Sequence, residues 1–138
     1  MGLKKYLGLE RRHLSRYKTA VDVEFYVWDA ARQKPRTGKV FGRLTEISLE
    51  GACLQTSHII IDGHHILRDN DLEGGTPLVL DLPPSVEGVP RSVKAQIIWY
   101  KRISANHAFQ FDVGLKFLDI SETEKQSLRS LIKSASAP

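Results

Sequence analysis

Arg12 and Arg16 stand four positions apart in the run Arg11-Arg12-His13-Leu14-Ser15-Arg16, and thirty residues later comes Glu46-Ile47-Ser48-Leu49-Glu50-Gly51. The residue types suit recognition of a guanine nucleotide. A guanidinium is a planar fork that bonds the O6 and N7 acceptors of guanine or two phosphate oxygens, and its flat cation stacks on a base. A segment carrying Arg11, Arg12 and Arg16 can therefore wrap a compact dianion, each side chain reaching a different phosphate or base. In the second half, Ser48 offers a hydroxyl and backbone groups, and Gly51 a tight turn or a close backbone approach.

Neither half is informative alone. With ten arginines in 138 residues, roughly one R-x-x-x-R arises by chance; Arg32 and Arg36 make a second one, and S-x-x-G recurs from Ser85 to Gly88. Order, separation and the surrounding strand pattern give the first pair its weight. The basic residues are also uneven: Lys4, Lys5, Arg11, Arg12, Arg16 and Lys18 precede the first strand against one acid, Glu10, although the net charge is only +4. Such a field draws a phosphate-bearing ligand, an anionic surface or nucleic acid, and the bland alternative is a solvated basic tail.

The elements that must position these residues are mostly strands. Val21, Val23, Phe25 and Val27 alternate with polar and aromatic neighbours, the period of a half-buried strand. A turn around Lys34 to Gly38 leads to a strand over 39–45, and after Gly51 another strand holds Ala52, Leu54 and Thr56 on one face. Residues 57–75 fit an extended loop or strand-loop insertion. The strand rhythm returns in Leu78, Leu80 and Leu82, in Val93, Ala95, Ile97 and Trp99, and in Phe109, Phe111, Val113, Leu115 and Phe117. Ser121-Glu122-Thr123-Glu124 is a capping box, and Leu128, Leu131 and Ile132 share the face of the helix that follows. These elements predict a mainly β fold: a small antiparallel six- to seven-stranded barrel with a C-terminal α-helix. The domain plan is a basic segment over 1–18 with an arginine loop, barrel and helix over 19–133, and a fraying tail over 134–138.

The two-part arginine and Glu46-x-Ser48-x-x-Gly51 pattern resembles the PilZ family of bacterial cyclic di-GMP receptors. The Ile97-Ile98-Trp99 strand, the Val113-Gly114-Leu115-Lys116-Phe117 strand and the helix after Asp119 extend the resemblance over roughly 10–133. It implies a barrel whose arginine loop closes over cyclic di-GMP. Arg12 and Arg16 would grip guanine and phosphate, and Ser48 and Gly51 would line the barrel-side wall. The family pattern carries Asp or Asn where this chain has Glu46, so one extra methylene must be accommodated. Arg11, directly before the pair, goes in this family with capture of two stacked nucleotides, whose four phosphate charges employ a third planar cation.

His58, His64 and His65 lack ligand spacing for a metal. No G-x-S-x-G, H-E-x-x-H, Walker loop or G-x-G-x-x-G is present, so catalysis is not expected. The lone Cys53, as a small packing residue, excludes an internal disulfide. No apolar run approaches the ~18 residues of a membrane span, no signal peptide is visible, and a reducing cytoplasm is the expected compartment. The expected function is a cyclic di-GMP receptor or adaptor that changes conformation and signals to a protein effector. The alternative is a PilZ-like interaction module that binds no nucleotide. Single-stranded nucleic acid held by arginines with Tyr26, Trp28 and Tyr100 is a third reading.

Overall fold

The computed structural model describes residues 16–67, 77–83, 91–103 and 109–136. Strand β1 (Tyr17–Asp29) is followed by the two-residue β2 (Lys34–Pro35), then β3 (Val40–Ile47) and β4 (Gly51–Thr56). After two more short strands, β5 (Ile60–Ile61) and β6 (His64–His65), come β7 (Leu78–Leu82), β8 (Arg91–Arg102) and β9 (Phe111–Leu118). Helix α1 (Glu122–Ser136) is the last element among the described residues. All pairings are antiparallel, in the order β2-β1-β3-β4-β9-β8-β7, and β7 returns to pair with β1. Six strands thus close a barrel, with β2 as an extra strand on β1. The mainly β barrel with a C-terminal helix is the architecture that the alternating patterns predict.

Alternation explains why these segments are strands. Val23, Phe25 and Val27 of β1, Leu44 and Ile47 of β3, and Leu54 of β4 are each at most 3% exposed, and all join the core. Leu78, Leu80, Val93, Ala95, Ile97, Val113 and Leu115 complete the lining from the other half of the barrel. Closure leaves the six strands few free edges, and the interior is packed with side chains rather than open.

The helix begins as its capping box predicts. The Ser121 amide donates to Glu124 Oε1 at 2.9 Å, and the Glu124 amide donates back to Ser121 Oγ at 3.1 Å. Leu128 is fully buried and Leu131 6% exposed, and both join the barrel core. The helix packs chiefly against β1 and β8. A single apolar side of the helix, packed on the barrel core, accounts for its i, i+3, i+4 pattern.

Two departures from the sequence expectations have physical causes. The segment after Thr56 folds into the β5–β6 hairpin around Asp62 and Gly63, whose φ angles are 50° and 82°. Asp-Gly is the pair that such a two-residue turn favours, and the hairpin delivers Ile61 and Ile66 into the core. Of the 57–75 insertion, residues 68–75 lie outside the described residues. The second departure lies in β8, where the register shifts between Ile97 and Trp99. Simple alternation puts Trp99 inside with Val93, Ala95 and Ile97. The bulge adds one residue at Ile98 and turns Trp99 outward, where it is 42% exposed.

Candidate ligand-binding cleft

A transverse row of residues crosses four strands on the outer face of the barrel. Glu46 of β3 pairs with Cys53 of β4, Cys53 with Gly114 of β9, and Gly114 with Trp99 of β8. A cleft of about 490 Å³ lies over this row, with Arg16, Lys116 and Lys125 also on its walls. The volume falls within the range usual for small-molecule sites.

Arg16 enters the cleft from the residue before β1. Tyr17 pairs with Ile47 and Lys18 with Glu46, which places the start of β1 beside the end of β3. Arg16 Nη1 lies 3.8 Å from Glu46 Oε1, with the two side chains 66% and 36% exposed. A pair this solvated contributes at most about 1 kcal/mol, so the guanidinium is loosely held and can be redirected by a bound anion. Arg16, Glu46, Ser48 and Gly51 all line this one cleft. Arg11 and Arg12 lie outside the described residues. The second R-x-x-x-R is elsewhere: Arg32 and Arg36 border the hairpin between β1 and β2, where the Arg32 amide donates to Asp29 Oδ1 at 3.1 Å.

Ser48 and Gly51 build the wall in ways the sequence does not reveal. Ser48 is 6% exposed. Its hydroxyl accepts from the Glu50 and Gly51 amides at 3.0 and 3.2 Å, and its own amide donates to the Gly51 carbonyl at 2.9 Å. That hydroxyl therefore shapes the turn between β3 and β4 and so aims the backbone around Leu49 and Glu50 at the cleft. Gly51 is demanded by the neighbouring strand rather than by a ligand, because a Cβ there would stand 2.0 Å from the Leu115 carbonyl oxygen.

Trp99 is the cleft residue that motif reasoning does not single out. Its indole occupies the space where a Gly114 side chain would stand: a Cβ on Gly114 would come within 2.2 Å of the indole Cε2 and Nε1. The ring thus lies against bare backbone and forms an aromatic part of the cleft, while remaining 42% exposed. The available signal was Gly114, set in the middle of the clearest strand, since a strand glycine often marks close approach by another group. Cys53 lies between Glu46 and Gly114 in the row. Burial pushes its thiol above the usual pKa, against a smaller lowering by a hydrogen bond to Thr45, so it stays a neutral, weakly reactive thiol at neutral pH.

Among the described residues no group of three or more histidine, cysteine, aspartate or glutamate side chains could hold a metal, and none of their helices is long and apolar enough to cross a membrane. Tyr26 and Trp28 stand on β1, and Tyr100 on β8 past its bulge. Lys39 lies over the Tyr26 ring and Lys94 over the Trp28 ring, whereas Tyr100 pairs with Val113 of β9.

The PilZ domain family model matches residues 10–134. The chain belongs to the PilZ family. Solved PilZ structures share the fold at low sequence identity. The PilZ domain of YcgR from Escherichia coli, solved with c-di-GMP, is 16% identical with a TM-score of 0.61, covering 91% of each chain. The PilZ domain of CeSA from a cellulose-synthesizing bacterium is 17% identical with a TM-score of 0.54, over 88% of this chain and 98% of that one. The inhibitor of motility MotI/DgrA from Bacillus subtilis is 15% identical with a TM-score of 0.57; the match covers 90% of this chain and 50% of that one. No curated protein sequence matches the chain.

Proposed function

We propose that this PilZ domain is a cyclic di-GMP receptor whose ligand sits in the cleft between Arg16 and Trp99. The observation that carries the proposal is the convergence of Arg16, Glu46, Ser48 and Gly51, scattered over 36 positions of sequence, on one cleft with an aromatic wall. A neighbour of the same fold was solved with c-di-GMP.

Each group has a distinct task. Arg16, with Arg12 and Arg11 from the preceding segment, supplies planar cations for phosphates and for the Hoogsteen edge of guanine. Glu46 accepts from a guanine N1–H and N2–H once Arg16 turns to the ligand, so the resting ion pair is exchanged for two stronger contacts. Trp99 offers its open face to a base. Lys116 and Lys125 on the far wall balance the remaining phosphate charge. Binding a dianion here joins the residue before β1 to β3, β8 and α1, and that rearrangement is what a protein effector reads. The domain acts as an adaptor in the cytoplasm and not as an enzyme, with Arg11 setting a stoichiometry of two stacked nucleotides.

Isothermal titration with cyclic di-GMP tests this reading. Saturable binding with about two nucleotides per chain, falling to about one in Arg11→Leu, is expected. Heats indistinguishable from dilution would favour the nucleotide-free interaction module instead.

A further inference from the structure

The barrel closes only along part of β8. Strand β7 pairs with Arg91 to Ala95, whereas β9 pairs with β8 as far as Arg102. Beyond Ala95, among the described residues, no strand pairs with the other side of β8. The main-chain direction along this edge follows from one hydrogen bond. The Ile103 amide donates to the Gln110 carbonyl at 2.9 Å, which makes Ile103 and Gln110 a hydrogen-bonded pair. Antiparallel ladders alternate, so Lys101 and Trp99 also turn their amides toward β9. Tyr100 and Arg102 turn theirs toward the open side.

The edge is also apolar and basic. Ile98, Trp99 and Tyr100 are 44%, 42% and 50% exposed, three of the five exposed large hydrophobic residues in the described structure. Lys101 and Arg102 follow, both exposed. Long exposed apolar edges are pairing templates that folded proteins usually cover or use. A second copy is a poor occupant, because antiparallel self-pairing of this segment would gather two lysines and two arginines in one ribbon. An extended segment of opposite charge meets both the apolar and the basic groups.

We propose that the open edge of β8, from Ile98 to Arg102, is a docking site for an extended acidic segment of a partner protein, which adds to the barrel as a further strand. The docking does not depend on what fills the cleft. Ile98 and Trp99 nevertheless line both places, so a cleft ligand has a direct route to the edge through the bulge.

Two measurements on the full chain test the proposal. Amide exchange of the free protein should be fast at Tyr100 and Arg102 and slow at Trp99 and Lys101; slow exchange at all four would mean that the edge is already covered and overturns it. Next, a labelled peptide of alternating glutamate and valine is titrated by anisotropy, beside its lysine–valine counterpart. The acidic peptide should bind and slow the Tyr100 and Arg102 amides, the basic one should not, and Arg102→Pro should weaken binding roughly tenfold by removing an outward donor. Arg102→Ala keeps that donor and should lose only about two- to threefold. Equal binding of both peptides, no binding of either, or equal effects of the two substitutions would overturn strand addition. Thermal melts of both variants show whether either has lost the fold; should Arg102→Pro unfold, amide protection in the wild type decides alone.

Discussion

Gly114→Ala separates the role of Trp99 from that of the barrel. The new Cβ would stand 2.2 Å from the indole, which is the half-exposed side chain of an outer-face residue and can swing away. With 42% of the residue exposed, roughly 140 Å² of a tryptophan's approximately 250 Å² is covered. If about half of that is re-exposed, the cost is roughly 2 kcal/mol at about 25 cal/mol per Å². The barrel should therefore still fold. Base stacking on an aromatic ring contributes about 1 to 3 kcal/mol, so displacing the indole should weaken cyclic di-GMP binding roughly five- to 150-fold. Gly51→Ala offers the contrast, because its Cβ would stand 2.0 Å from a backbone oxygen that cannot rotate away; it should melt far earlier or fail to fold. The assay is a thermal melt together with a titration followed by tryptophan emission in a Trp28→Phe background, where Trp99 is the only tryptophan. A folded Gly114→Ala with wild-type affinity and unchanged emission would refute the aromatic wall.

Further expectations concern the neighbouring residues. Glu46→Asp should tighten cyclic di-GMP binding a few-fold by restoring the family's shorter carboxylate; weaker binding on calorimetry would show that the site has adapted to Glu46. Ser121→Ala should cost about 1 kcal/mol on a denaturant melt by removing one half of the capping box, with ligand affinity unchanged. Iodoacetamide should modify Cys53 more slowly than a free cysteine at pH 8, because a thiol whose pKa is raised carries less thiolate there. Saturating cyclic di-GMP should slow it again if the ligand covers the cleft, and mass spectrometry of timed aliquots reads both effects.

Much of the fold is legible in the sequence because burial imposes its period directly. Val23, Phe25 and Val27 alternate because one side of β1 faces the core, and Ser121 with Glu124 announces the helix through the two hydrogen bonds it forms. Arg16, Glu46, Ser48 and Gly51 were legible as a constellation, and they converge on one cleft. What stayed hidden depends on non-local geometry. The bulge at Ile98 leaves no mark on the residue types, so alternation alone sends Trp99 to the wrong side. The hairpin of β5 and β6 stayed hidden within the 57–75 loop, because three successive isoleucines before its turn give no period to read. The true reason for Gly51, the Leu115 carbonyl, lies 64 residues away in sequence.

Calorimetric titration of cyclic di-GMP into the wild type and into Arg16→Ala addresses the central claim most directly. Arg16 is exposed and precedes the barrel strands, so its loss should lower the melting temperature by no more than the few degrees that about 1 kcal/mol represents. Losing one charge-assisted contact costs about 1.5 to 3 kcal/mol, and the account predicts saturable wild-type binding weakened roughly ten- to 150-fold in the variant, with Arg32→Ala at wild-type affinity. No heat of binding in the wild type, or equal affinity in Arg16→Ala, would contradict it.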